Sequence, residues 1–138
     1  MKDNEYIPKF PTKEAIAALS KRLNLPYHNN MQDWEYEVAD ATRIDEFLED
    51  YLHNQTLDEE KFVLMEILLE SFTEIGDLDN DSRWAIVLLL LEKNINIHAH
   101  TICYWSNGDE LLENSWNVTP FVRKIFDQYN LKILTLLR

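Results

Sequence analysis

Glycine is nearly absent. Gly76 and Gly108 are the only two in 138 residues, and no P-loop, GxGxxG dinucleotide fingerprint or GxSxG nucleophile elbow can be written around them. Phosphate-cradling loops and strained nucleophile turns are excluded, although other catalytic designs are not. Cysteine is scarcer still: Cys103 stands alone, which rules out an internal disulfide and suits a reducing compartment, so a cytoplasmic setting is expected. Long hydrophobic runs are missing too. The longest, Trp84 to Leu91, has eight residues against the ~20 that span a bilayer. MKDNEYIPKF carries charges where a secretory leader has its apolar core, so no leader is expected.

Basic residues are in deficit: 13 Lys and Arg face 25 Asp and Glu, a formal net charge of −12. The deficit sits in one block. Residues 33–81 hold seventeen acidic side chains against Arg43 and Lys61, while the flanks are close to neutral. Such a block repels phosphates, so neither nucleic acid nor an anionic membrane is an expected partner. It serves either as a solubilising surface or as a docking face for a basic protein.

What is present is apolar substance, 46% of the residues, enough for one domain over 1–138 to bury its own core. The periodicity is helical. Thr12 caps a first helix with Ile16, Leu19 and Leu23 on one stripe, closed by Pro26. Trp34, Tyr36 and Val38 alternate with polar neighbours, which reads as an extended connector or half of a small hairpin. A second helix covers roughly Ala41–Asn54, capped by Asp40 or Thr42. A helical hairpin, Thr56 to Asn94, organises the rest. Thr56-Leu-Asp-Glu59 reads as its capping box, with Asp58 as rival cap. Its first arm carries Glu66, Glu70 and Glu74 on a narrow stripe, read as the solvated edge of a mostly buried helix. Its second arm, Trp84–Leu91, is apolar all round, as a helix sunk in a core would be. NINIHAHTICYW looks extended, although Thr101–Trp105 also suits a helix. Asp109 is placed to cap a short helix Glu110–Ser115. Thr119-Pro120 starts the last clear helix, and Leu131, Leu134 and Leu137 give the tail a face with which to dock. The expected fold is all-α or nearly so. It is a bundle of about five to seven helices or short stacked helical hairpins, with at most one small strand pair.

LLLLEKNINIHA followed by VTPFVRKIF resembles the outer-helix end and the next TPLH start of an ankyrin repeat. Asn94 stands for the usual glycine and Thr119-Pro120-Phe121 for the TPL. The match covers about a third of the chain, and the link from Asn94 to Thr119 is more than twice the ankyrin length. The resemblance implies stacked helix pairs and a protein-binding role, and supplies no catalytic residue.

Two constellations bear on chemistry. His98, His100 and Cys103 form H-x-H-x-x-C. In an extended segment the two histidines share a face and could grip a metal, with Cys103 as third ligand and distant His28 or His53 to complete the set. The competing reading is a half-buried histidine pair beside a small buried thiol. Asp77, Asp79 and Asp81 imitate the start of an EF-hand loop, but Ser82 and Leu88 stand where its glycine and bidentate glutamate belong. Carboxylates are abundant, yet no sequence feature marks one as made unlike its neighbours by burial, which acid–base work requires.

The leading functional expectation is a non-enzymatic, acidic protein-binding module that docks a basic partner, with no cofactor. In size and charge the chain resembles the immunity proteins that neutralise basic nuclease toxins. The residues expected to carry the docking are Trp34, Tyr36, Glu46, Asp50, Glu66, Glu70 and Glu74, with Trp34, between Asp33 and Glu35, as an exposed aromatic anchor. The alternatives are a metal-binding protein or metal-dependent enzyme using His98, His100 and Cys103, and a structural helical module of a larger assembly, as a homo-oligomer would be.

Overall fold

The central position belongs to the helix whose glutamates suggest a solvated edge. A computed structural model describes residues 7–28, 31–107, 111 and 115–138. Among these are eight α-helices and no strand: α1 (Lys13–Leu23), α2 (Trp34–Glu37), α3 (Ile44–Leu52), α4 (Asp58–Phe72), α5 (Ser82–Lys93), α6 (Ile95–Ser106), α7 (Thr119–Gln128) and α8 (Asn130–Leu136), with a 3-10 turn at Ala41–Arg43. The expected all-α fold is what the chain adopts. The helix proposed for Glu110–Ser115 and its cap Asp109 lie mostly outside the described residues.

Every residue from Phe62 to Leu69 on α4 is buried, Glu66 included. α1, α2, α3 and α6 pack around it. The eight-residue apolar run of α5, by contrast, is buried on one side only. Trp84, Val87, Leu90 and Leu91 face inward, whereas Leu89 is 66% exposed and Ile86 is exposed as well. The expectation for the two arms is thus inverted. Nor do they form the main packing unit, since α5 lies chiefly against α6 and α7. The ring of Phe72 meets that of Trp84 at 5.0 Å, and Phe121 meets the same indole at 5.6 Å, tying α4, α5 and α7 together.

Only half of the capping box forms, one residue later than expected, because the N-cap is a leucine with no side-chain acceptor. Leu57 is the N-cap of α4, and the Glu60 side chain accepts from its N–H at 3.3 Å, which satisfies one of the orphan donors of the first turn. Thr56 instead donates to the carbonyl of Asp50 at 2.6 Å. Likewise α7 begins at Thr119 with Val118 as N-cap.

Two segments that look extended are helical. α2 is one short turn whose N-cap, Asp33, has φ 51, a left-handed backbone that Asp tolerates better than most. α6 runs through Ile95–Ser106 with an irregular residue at His98. Its inward side chains Ile95, Ala99, Ile102, Trp105 and Ser106 recur at helical spacing, and burial of that face overrides the strand preference of its β-branched residues. Asn94 is both the last cap of α5 and the first of α6, so a helix, where an ankyrin repeat has a loop, follows it. Arg123 donates to the carbonyls of Ser106 (2.9 Å) and Asn107 at the far end of α6, a cation where the helix dipole favours one. The tail docks by Ile133, which is fully buried, while Leu131 and Leu134 point to solvent.

Candidate functional site

A carboxylate in the middle of a buried helix needs donors, and the fold brings three of them from elsewhere. The Tyr36 hydroxyl of α2 donates to Glu66 Oε1 at 2.9 Å. From α6, Thr101 Oγ1 donates to Oε2 at 2.6 Å and the Trp105 indole Nε1 donates to Oε1 at 3.3 Å. Glu66 is 6% exposed. Burial pushes its carboxyl above the usual range, and the three donors pull it part of the way back. Among the described residues no Lys or Arg forms an ion pair with it.

Above this carboxylate opens a cavity of about 470 Å³ between residues 9–11, α2, α4 and α6, a size common for pockets that hold small molecules or single side chains. Tyr36, Phe10, Phe62 and Tyr104 supply apolar and aromatic wall. Asp33 and Glu35 add negative charge beside Glu66. Glu35 is buried; desolvation raises its carboxyl, a backbone N–H offsets part of that, and the charges of Glu66 and Asp33 raise it further. Burial and then Glu66 raise the Tyr36 phenol, which keeps it a donor. The other side of the cavity is basic. Lys9 is exposed, with Nζ 5.4 Å from the Phe10 ring, and burial followed by the Lys9 charge lowers His100.

The aromatic rings form one cluster behind the floor. Trp105 meets Tyr36 edge-on at 6.2 Å and Tyr104 edge-on at 5.7 Å, and Trp116 lies 4.6 Å from it. These contacts fix the indole whose N–H reaches Glu66.

The docking residues expected from sequence are scattered by the fold. Trp34 is not an exposed anchor: it is 2% exposed, and its indole donates to the carbonyl of Pro26 at 2.7 Å. Asp50 accepts two bonds from Arg22 at 2.8 and 2.7 Å, and the same guanidinium reaches Glu60 at 3.0 Å. Glu46 is paired with Arg43 at 2.8 Å. Asp50 and Glu60 therefore share one guanidinium, while Glu66 turns to α2 and α6, and the two acidic faces do not merge. Tyr36 and Glu66 meet in the cavity. Glu70 is half-buried next along the stripe, its carboxyl raised by burial and then by Glu74 and Glu66, and Glu74 is exposed. The solvated edge is thus real only at its C-terminal end.

The H-x-H-x-x-C reading does not assemble. Two residues apart on a helix point about 200° from one another. His98 is fully buried against α3, with Nε2 2.6 Å from the Tyr51 hydroxyl, whereas His100 and Cys103 face the cavity. Among the described residues no group of three or more His, Cys, Asp or Glu side chains is gathered as a metal needs.

Sequence reasoning missed Asp33, Glu35, Thr101 and the wall at Phe10. The one available signal was Glu66 between Met65 and Ile67, a charge in an apolar helix. No family model, curated protein or solved structure matches this chain.

Proposed function

We propose that the protein is a non-enzymatic binding module that docks a basic partner, at the acidic mouth of the cavity between α2, α4 and α6. One observation carries this reading: the distribution of countercharge. Asp50, Glu60, Glu46, Asp45 and Asp81 are each held by Arg22, Arg43 or Arg83 within the chain. Glu66, Glu35 and Asp33 have no such ion pair among the described residues, which is also true of the exposed Glu49, Asp58 and Asp77, but the first three are gathered around one open cavity. Negative potential concentrated in a cleft with low-dielectric walls attracts cations and speeds encounter. Glu74, exposed in the turn that follows α4, extends that field outward.

The test is binding of immobilised protein to oligo-arginine and oligo-lysine peptides at low and at high salt. Saturable binding that weakens with salt, and that falls at least about tenfold on charge reversal at Glu70 and Glu74, is the expected result. Binding indifferent to salt and to those reversals contradicts it.

A further inference from the structure

Resting on that reading, we propose that the cavity is a receptor for one arginine side chain of the basic partner, with Glu66 as the carboxylate that accepts from its guanidinium. The hydrogen-bond count leaves room for it. A carboxylate offers about four acceptor positions, and Tyr36, Thr101 and Trp105 fill three on Glu66. The remaining position belongs to a side chain that lines the cavity.

The walls choose between the two common cations. Tyr36, Tyr104 and Phe10 present aromatic surface to the space above the carboxylate. A guanidinium is planar, stacks on such rings and is weakly hydrated, so it enters an apolar cavity at lower desolvation cost than an ammonium does. Glu35, beside Glu66, gives the fork a second acceptor. Lys9, exposed at the basic side, opposes entry by its charge.

The Trp105 indole N–H reports on the floor directly, because it donates to the same Oε1 as Tyr36 does. N-acetyl-arginine amide titrated into the whole protein is expected to shift the indole N–H resonance of Trp105, assigned by Trp105→Phe, and to saturate. N-acetyl-lysine amide is expected to bind more weakly. Glu66→Gln keeps the shape of the side chain and is expected to lose at least about tenfold in affinity for the arginine amide. Lys9→Ala needs no repacking and is expected to tighten binding about threefold.

No saturable shift at Trp105 in the unaltered protein overturns the inference, whether or not Glu66→Gln folds. So does an arginine affinity unchanged in a folded Glu66→Gln, or a lysine amide that binds as well as the arginine amide. If oligo-arginine still binds in a manner sensitive to salt and to Glu70 and Glu74 reversal, the docking face stands and only the arginine receptor falls. If no basic peptide binds at all, both fall.

Discussion

Thr101 donates a 2.6 Å hydrogen bond to Glu66, thirty-five residues before it in the chain, and so joins α6 to α4 at the floor of the cavity. A hydrogen bond to a buried charge contributes about 1.5–3 kcal/mol. Thr101→Val is therefore expected to lower stability by about 2 kcal/mol near neutral pH. In a Glu66→Gln background the same change is expected to cost clearly less. A double-mutant cycle by urea unfolding measures the difference; equal costs in both backgrounds refute the link.

His98 gives the fold an acid limit. Its ring is fully buried against Tyr51 of α3, with Nδ1 unpartnered, and desolvation followed by the Lys61 charge lowers its pKa to about 3. The unfolded chain takes up a proton near pH 6.5 and the folded chain does not. The stability contributed by the neutral ring is complete above pH 6.5 and is lost as pH falls toward 3, at up to about 1.4 kcal/mol per pH unit. His98→Leu is expected to flatten that limb in urea unfolding measured across the interval. An unchanged slope contradicts the burial of a neutral ring.

Arg22 staples α1 to α3 and α4 through Asp50 and Glu60. The Arg22 side chain is 39% exposed and that of Asp50 11%, so the pair's value falls between that of a surface pair and a buried one. Arg22→Gln is expected to cost roughly 1–2 kcal/mol, and Lys, which lacks the bidentate fork, to restore less than half. Thermal unfolding of the three proteins decides this, and full restoration by Lys contradicts the bidentate geometry.

The inverted burial of α4 and α5 has its own test. Leu89→Lys, on the outer side of α5, is expected to change stability by no more than about 0.5 kcal/mol. Leu68→Ala, inside α4, is expected to cost about 2–5 kcal/mol. Comparable losses at both sites disprove the arrangement.

That inversion also marks where sequence reading ended. The all-α class and the punctuation at Thr12 and Asn94 follow from apolar period and turn chemistry, which are local, whereas the eight helices among the described residues exceed the five to seven expected because two segments that look extended are helical. Burial of Glu66 does not, because its donors Tyr36, Thr101 and Trp105 lie thirty or more residues away along the chain. A glutamate stripe reads as solvated until those partners are known. The outer face of α5 shows the converse, for an apolar circumference states what can be buried and leaves open which side will be. At α2 the alternation of Trp34, Tyr36 and Val38 is too short to separate a strand from one helical turn. At α6, Ile95 and Ile97 carry a strand preference that Ala99, Ile102 and Trp105 overrule by packing inward.

The most direct test of the central claim measures two properties of Glu66→Gln at once. In the native fold burial raises the Glu66 carboxyl, so the folded chain holds its proton more readily than the unfolded one. The charged side chain then lowers stability as pH rises above its ordinary value near 4.5, and the penalty is absent below that pH. If Glu66 is kept for binding, Glu66→Gln is at least as stable as the parent at neutral pH, by urea unfolding, and binds oligo-arginine at least about tenfold more weakly. A variant that is less stable and binds oligo-arginine as before contradicts the account and makes Glu66 a structural residue.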